Sequence, residues 1–268
     1  MTAPRSDSSD RALARAEAQK QWNANPCGAI ETEAFDQTFF DKVEEERYRQ
    51  QYWQLDFFDY TSFAGKRVLE VGIGLGTDIK QFARNGAECH GVDITDRHLE
   101  LTKLNFELSG YTIDLRKADA ASIPFPDGHF DCVHSFGVLH HIPDVDTVLK
   151  EIHRVLKPEG VLQTAVYHRA SIHTLLYFVK GVVDASLFRT GIKGVLARIE
   201  RGADGKEIAP YVKLYSKAEW RGAASAAGFA PVKLGIRQVN FDRFRWLNAF
   251  RPFEKMVGWY VCGIFTKS

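Results

Sequence analysis

The sequence lacks the cysteine content of a disulfide scaffold. Its 268 residues include only four cysteines, Cys27, Cys89, Cys132 and Cys262, which lie far apart and form no Cys-x-x-Cys pair. A small secreted domain would need closely spaced, paired cysteines to compensate for a limited core. We therefore expect free thiols in a reducing compartment.

Long apolar runs are also absent. The first twenty residues contain no apolar segment of the kind that a signal peptide requires, and their acidic residues disfavour a transit peptide. The most apolar later stretch, 172–183, is interrupted by His173 and Lys180 and is too short to span a bilayer. These features predict a cytoplasmic location with no integral membrane association.

Neither sign of charge is in excess. Lys and Arg number 35 against 34 Asp and Glu, which gives a formal net charge of +1. Such a chain has no global positive field to hold a polyanion, so we expect no nucleic-acid partner. The composition, 45% hydrophobic and 26% charged, is that of an ordinary globular protein.

The middle of the chain alternates between short apolar runs and amphipathic segments. The pattern predicts strands at 67–71, 88–93, 114–117, 130–136 and 160–167, helices at 77–85, 97–109 and 145–155, and a turn at 157–160. This rhythm indicates parallel strands joined by right-handed crossovers. Ser216 and Glu219 have capping-box spacing before a further helix, and strand candidates follow at 232–239 and 259–266. We expect an α/β fold with helices on both faces of a sheet.

Two segments flank or interrupt this rhythm. Residues 1–62 are predicted to be an N-terminal tail and helical cover, and 63–268 the main domain, with a helical lid insertion at about 171–213. The lid holds seven basic and four acidic residues beside an apolar, aromatic run. This composition favours a cover over an apolar substrate with an anionic group, or alternatively an ordinary solvated face.

A glycine-rich turn follows the first predicted strand. Gly72, Gly74 and Gly76 alternate with other residues, and Glu70 stands two positions before the first of them. Glycines at such a turn let a ligand lie against backbone N–H groups, which predicts a nucleotide-type ligand. The dinucleotide fingerprint Gly-x-Gly-x-x-Gly would require glycine where Thr77 stands.

This loop and the strand ends after it resemble the class I S-adenosylmethionine-dependent methyltransferases of the small-molecule type. The resemblance covers about 66–167 well and implies a Rossmann-like, seven-stranded, mostly parallel sheet with S-adenosyl-L-methionine as cofactor. It implies that Glu70 and the three glycines hold the methionine end and that Asp93 holds the ribose. Asp119 and Ala120 would contact the adenine, and Phe136 would lie along the cofactor.

Ligand-free alternatives exist for each of these positions. The glycine loop is also typical of a tight turn, Asp119 of a helix cap and Asp93 of a solvated loop acid. The spacing of all four parts together favours the cofactor site over these alternatives.

Candidate acceptor groups lie at the predicted fourth and fifth strand ends. Methyl transfer to a hydroxyl or an activated carbon needs a base, and histidine suits neutral pH. We expect His141, Tyr167 and His168 to act near the acceptor, although His140 and His141 could divide into a structural and a site residue. No group of residues has metal-ligand spacing, so we predict no metal.

The expected function is methyl transfer from S-adenosylmethionine to a small, partly apolar organic acceptor, with O, N and C acceptors open. The rivals are an NAD-dependent oxidoreductase and a non-catalytic S-adenosylmethionine-binding protein. Monomer and homodimer are both compatible with the sequence.

Two further segments are open to more than one interpretation. Trp22 and Asn25 resemble a signature that covers the cofactor, but a Pro-Gly turn follows them. The run 237–253 is basic and aromatic, which fits contact with a membrane surface or acidic partner. It also fits a helix with its aromatics packed inward.

Overall fold

The computed structural model describes residues 16, 18–20, 22–24, 34–196, 199, 211–242 and 245–268. The strands are β1 Arg67–Val71, β2 Glu88–Asp93, β3 Asp114–Lys117, β4 Phe130–Phe136, β5 Leu156–Tyr167, β6 Phe229–Arg237 and β7 Tyr260–Lys267. The helices are α1 Gln37–Gln50, α2 Gln54–Phe57, α3 Thr77–Arg84, α4 Asp96–Leu108, α5 Val145–Val155, α6 Ile172–Val183, α7 Ser186–Leu196, α8 Lys217–Ala226 and α9 Glu254–Val257. Short 3-10 helices lie at Leu139–His141 and Arg245–Phe253.

The seven described strands form one sheet in the order β3-β2-β1-β4-β5-β7-β6. The pairs from β3 to β5 are parallel, and β7 is antiparallel to both of its neighbours. The predicted seven-stranded, mostly parallel α/β fold is therefore confirmed. The order reverses between β1 and β4, which opens a crevice at their carboxyl ends.

Helices cover both faces of this sheet because successive strand residues point to opposite sides. On one face Leu69 of β1 shares a core with α5 and α8, in which Trp220 is fully buried. On the other face Val68 packs with α3 and with the aromatic residues that follow α1, including Trp53. Both predicted helical layers are present.

The N-terminal cover rests on the glycine loop. The Asp36 side chain caps α1 by accepting a hydrogen bond from the Phe39 N–H. Phe40 and Val43 then pack against Leu75 in the loop and against α4. The cover thus shares a core with the main domain, and the boundary at residue 62 stays a prediction.

The turn predicted at 157–160 lies inside β5. Phe130 pairs with Leu156, but Cys132 pairs with Val161, so the intervening residues form an irregularity within the strand. Glu159 has a positive φ of 61°, as a turn residue does. The prediction of a turn before the strand was therefore wrong, because β5 begins at Leu156 and includes these residues.

The predicted lid contains two packed helices. Ser171 caps α6, and Gly181 of α6 lies so close to Val195 of α7 that a Cβ there would stand 2.8 Å from the valine side chain. Residues 197–198 and 200–210 of the predicted insertion lie outside the described residues. That these two helices act as a lid therefore remains a prediction.

The run after β6 divides between the core and solvent, because Phe241 is buried in a cluster with Leu247 whereas the aromatic side chains described after it in the same run are exposed. Leu247 is buried, but Trp246 is 70% exposed and Phe253 is 56% exposed. The 3-10 geometry places only one side of this short segment against the core. Among the described helices, none has both the length and the apolar character needed to cross a membrane.

Candidate active site

Among the described residues, a large cavity lies at the carboxyl ends of β1, β2 and β4, where the strand order reverses. It has a volume of about 830 Å³. The predicted residues that line it are Glu70, Gly72, Gly74, Asp93, Asp119, Ala120, Phe136, His141 and Tyr167. Gly76 and His168 are not among its lining residues. The sheet topology thus brings most of the predicted site to one place.

The three loop glycines have different structural roles. A Cβ on Gly72 would lie 2.3 Å from the Val138 side chain, and one on Gly76 would lie 2.8 Å from Thr102. These two glycines permit close packing of the loop after β4 and of α4. Gly74 has a positive φ of 58° and open space where a Cβ would stand. Its backbone therefore borders the cavity without steric cover, as a cradle for a ligand requires.

Asp93 ends β2 as a buried, ionised acid. One carboxylate oxygen accepts hydrogen bonds from the Thr95 N–H and hydroxyl at 2.9 and 2.8 Å, and the other lies 3.2 Å from His98 Nδ1. Burial opposes ionisation, but His98 and Thr95 outweigh it and lower the pKa of Asp93. This is inconsistent with the solvated loop acid of the alternative interpretation.

Asp119 lies in a turn at the edge of the cavity, and its contact with the adenine stays a prediction. One carboxylate oxygen accepts a hydrogen bond from the Ala121 N–H at 2.8 Å, which closes a local turn after β3. The same side chain and Ala120 also line the cavity. The turn therefore holds an acid at the edge of the site.

Glu70 of β1 lies under the glycine loop, beside the first turn of α3. Its side chain is 3% exposed and accepts a hydrogen bond from the Ile79 N–H at 3.0 Å. Burial, together with the negative charge of Asp78, raises the pKa of Glu70 well above its usual range. A cationic group in the cavity would relieve this and favour the carboxylate form.

Sequence reasoning missed the basic partner of these acids. Arg47 of α1 forms an ion pair with the buried Asp78 of α3, and Tyr48 donates a hydrogen bond to the same carboxylate at 3.2 Å. Burial opposes ionisation of Asp78, but the Arg47 charge and His134 hold its pKa well below the usual range. Only the packing of α1 on α3 reveals this pair, because 31 residues separate its members.

Ligand atoms of Glu70, Asp78 and His134 lie within 4.8 Å of one another, a grouping that a metal ion could use. No sequence spacing signalled it. Arg47 already supplies a positive charge to Asp78, and Ile79 already donates to Glu70. We therefore interpret the group as an ionic anchor, and the absence of a metal stays a prediction.

Arg47 also faces the cavity. Its guanidinium carbon lies 4.2 Å from the centre of the Phe136 ring, which itself lines the site. Its buried Nε makes no hydrogen bond to the described residues. Arg47 is itself a lining residue, so its guanidinium puts a positive charge at the edge of the cavity.

The two adjacent histidines divide as the structural alternative described. They lie in a 3-10 helix, and His140 is fully buried with its ring 3.7 Å from that of Tyr167. Burial and the neighbouring His141 lower the pKa of His140 well below its usual range. His141 lines the cavity, and its Nδ1 lies 2.9 Å from the Tyr211 carbonyl oxygen. Because a carbonyl only accepts, Nδ1 carries the proton and the lone pair of the neutral ring lies on Nε2.

The fifth strand end supplies one residue that lines the cavity rather than two. The Tyr167 ring lies between His140 and Trp259, whose ring centre is 4.3 Å away, and it lines the cavity. His168 is 4% exposed, and its Nδ1 lies 3.0 Å from the Gly258 carbonyl oxygen. His168 supports the loop before β7 and is not among the residues that line the cavity, so its role near the acceptor stays a prediction.

Part of the N-terminal segment reaches the same cavity. Trp22 lines it, with its ring centre 5.7 Å from that of His141. The Asn23 side chain accepts a hydrogen bond from the Arg97 N–H at the start of α4. Asn25 lies outside the described residues, so its predicted contact with the cofactor stays a prediction.

Known proteins are similar in sequence to the part of the chain that carries most of this site. A family model described as a methyltransferase domain matches residues 69–164. A ubiquinone biosynthesis O-methyltransferase from Ralstonia nicotianae is 29% identical over 70% of this chain and 73% of its own length. One from Chromobacterium violaceum is 37% identical over 40% of this chain and 47% of its own length. Beyond the first of these relatives, the match spans about half of their length.

Solved structures share the fold. A SAM-dependent methyltransferase from Methanosarcina mazei superposes with a TM-score of 0.59 at 17% identity, covering 79% of this chain and 95% of that chain. A SAM-dependent methyltransferase from Aquifex aeolicus has a TM-score of 0.53 at 16% identity, covering 88% of this chain and all of that one. At this identity the likeness shows the α/β architecture alone.

The buried ion pair generates a stability prediction. We expect Arg47→Met to lower the free energy of unfolding by about 3 kcal/mol at neutral pH, because it leaves Asp78 buried without its cation. Urea denaturation measures this. Arg49→Met is the matched control on the same helix, because its partners Glu46 and Asp242 are exposed, and it should cost less than about 1 kcal/mol.

The pH dependence supplies a second readout of the same variants. A lowered carboxyl pKa stabilises the fold above the unfolded-state value, and the stabilisation is lost as the pH falls through the folded-state value. The difference in the free energy of unfolding between wild type and Arg47→Met should therefore become smaller at acidic pH. Equal losses for the two arginine variants at neutral pH would contradict the role of this pair.

Proposed function

We propose that the chain is a class I S-adenosylmethionine-dependent methyltransferase that uses S-adenosylmethionine as its cofactor and methylates a hydroxyl group of a small, partly apolar acceptor; the matching family model and the relatives support this. The observation that carries the proposal is the convergence of Glu70, Gly74 and Asp93 on one cavity. The relatives named O-methyltransferases support an oxygen acceptor.

The cavity has groups that match each part of the cofactor. The Asp93 carboxylate would accept hydrogen bonds from the two vicinal ribose hydroxyls, and Asp119 with the Ala120 backbone would hold the adenine. Gly74 leaves the backbone open beside the middle of the molecule. These assignments follow the lining of the cavity and the chemistry of the donors.

The methionine end is a zwitterion and needs both signs of charge. Glu70 would hold the ammonium group, and the positive charge of the Arg47 guanidinium would attract the carboxylate. The two side chains are close enough to interact electrostatically, since the Arg47 charge opposes the rise in the pKa of Glu70. Arg47 thereby connects the N-terminal cover to cofactor binding.

When bound, S-adenosylmethionine supplies a methyl group on a positively charged sulfur, ready for in-line displacement. Tyr167 and Trp22 border the cavity on the acceptor side and would help to exclude water and orient the acceptor. His141 Nε2 would take the hydroxyl proton as the oxygen attacks. The proposed catalytic residues are therefore His141 and Tyr167.

A cytoplasmic location is part of the same proposal. The three described cysteines, Cys89, Cys132 and Cys262, are buried with free thiols. Their burial raises the pKa of each thiol above its usual range, which makes them structural rather than reactive groups. The oligomeric state stays open between monomer and homodimer.

We expect Asp93→Asn to weaken S-adenosylmethionine binding roughly 10- to 100-fold. The substitution keeps the side chain's size but replaces a charged acceptor with an amide donor opposite the ribose hydroxyls. Isothermal titration calorimetry with S-adenosylmethionine, S-adenosylhomocysteine and NAD measures the change. Asp114→Asn, an exposed acid on the neighbouring strand β3, is the control and should bind as the wild type does.

The same titrations separate the rival functions. Binding of NAD in place of the sulfur ligands would favour an oxidoreductase and contradict the proposal. Binding of S-adenosylmethionine without transfer to any hydroxylated acceptor would favour a non-catalytic binding protein.

Glu70 makes cofactor binding dependent on pH. Below its raised pKa, Glu70 holds a proton in the free protein, and the ligand ammonium favours the carboxylate, so binding should release a proton and strengthen as the pH rises. Calorimetry in two buffers with different ionisation enthalpies measures the proton count. Glu70→Gln should abolish the release, whereas Glu88→Gln, an exposed acid on β2, should retain it. Equal proton release by both variants would exclude Glu70 as its source.

His141→Gln should lower kcat by about 10²- to 10⁴-fold while S-adenosylmethionine affinity stays within a few-fold of wild type. The substitution removes the proposed base. Methyl transfer to a panel of hydroxylated aromatic acceptors, with and without apolar tails, measures the effect. His129→Gln, away from the cavity, is the matched control, and an unchanged kcat in His141→Gln would exclude His141 as the base.

A further inference from the structure

Helix α6 presents an apolar row to solvent. Leu175, Val179, Val182 and Val183 are between 50 and 81% exposed. Their spacing of four, three and one residues places them on one side of the helix. The first turns of α6 also pack inward, because Ile172 and Leu176 belong to a hydrophobic cluster with Leu247 and Val257.

The neighbouring segments also carry exposed apolar side chains. On α7 Phe188 is 76% exposed and Ile192 is 60% exposed. In the 3-10 segment Arg245–Phe253 and in α9, Trp246 and Met256 are 70 and 68% exposed. Ten of the fifteen exposed large apolar side chains among the described residues fall in α6, α7 and these two segments. We call the exposed side of these four elements the lid face.

The elements that carry the lid face pack against one another. Leu176 of α6 packs in the same cluster as Leu247 of the 3-10 segment and Val257 of α9. Gly181 of α6 contacts Val195 of α7. All four elements are therefore linked to one another by packing contacts.

The charges on the lid face have one dominant sign. Five cations on it are exposed, namely Lys180, Arg189, Arg245, Arg251 and Lys255. The two acids in the same segments are held by the protein itself. Asp184 accepts a hydrogen bond from the Ser186 N–H, and Glu254 accepts one from the Tyr52 hydroxyl.

This combination selects one kind of occupant. A symmetric dimer through the lid face would set the five cations of one copy against those of the other, which is unfavourable. Apolar side chains with Trp and Phe among lysines and arginines instead match the interface of an anionic bilayer. We propose that the lid face docks onto the surface of an anionic phospholipid membrane.

Docking would bring the cavity to the membrane. Helix α6 begins five residues after Tyr167, which lines the cavity. An apolar acceptor dissolved in the bilayer would then enter without crossing water. This consequence rests on the proposed function, but the docking itself does not.

Vesicle sedimentation of the full chain, without cofactor or acceptor, tests the proposal. We expect binding to phosphatidylcholine vesicles that contain phosphatidylglycerol, weaker binding to phosphatidylcholine alone, and weaker binding in high salt. The triple variant Val183→Ser, Phe188→Ser, Trp246→Ser should bind at least about tenfold more weakly. The double variant Lys180→Gln, Lys255→Gln should lose roughly fivefold per cation.

The matched control is Leu108→Ser with Val232→Ser, which removes exposed apolar side chains outside the lid face. It should bind as the wild type does, and thermal unfolding of all variants checks that they fold. No binding to the anionic vesicles, or equal losses in the control and the triple variant, would overturn the proposal. So would a concentration-dependent dimer that the triple variant abolishes in the absence of vesicle binding. Methyl-transfer activity does not enter any of these measurements, so failure of the docking and failure of the proposed function are distinguishable.

Discussion

The buried ion pair between Arg47 and Asp78 is the interaction on which the rest of the site depends. It joins α1, in the N-terminal cover, to the first turn of the helix that follows the glycine loop. Without this cation, Asp78 and Glu70 would be two acids buried side by side, and neither charge would be tolerated. The pair therefore positions the cover and lets an acid lie beneath the loop.

The sheet order explains why separate acids meet at the cavity. Residues after β1, β2 and β3 reach the same edge because parallel strands end on the same side, and the reversal between β1 and β4 leaves space above them. Asp93 is ionised there through Thr95 and His98, whereas Glu70 is pushed towards its neutral form. Two carboxyl groups of one cavity thus differ in charge state because their neighbours differ.

On the acceptor side of the cavity and on the lid face, residues adjacent in sequence differ in burial and in role. His140 packs beneath Tyr167 and is held neutral, while its neighbour His141 faces the cavity with its tautomer set by the Tyr211 carbonyl. Farther out, Leu176 is drawn into a buried cluster, while Leu175 next to it is exposed. In both cases adjacent side chains on a helical turn face different surroundings, and their roles follow from this.

Local pattern by itself determined the strands and the glycine loop, because alternating burial and tight turns depend on residues close together in the chain. The acids after the loop were identified from the resemblance to methyltransferases. Local pattern could not reveal Arg47, whose partner is 31 residues away, since no local signal records which side chain will face an acid across two helices. It also grouped His168 with Tyr167, although successive strand residues point to opposite faces and only packing shows which face borders the cavity. Tertiary structure alone decided these positions, because electrostatics and exposure are properties of neighbours in space.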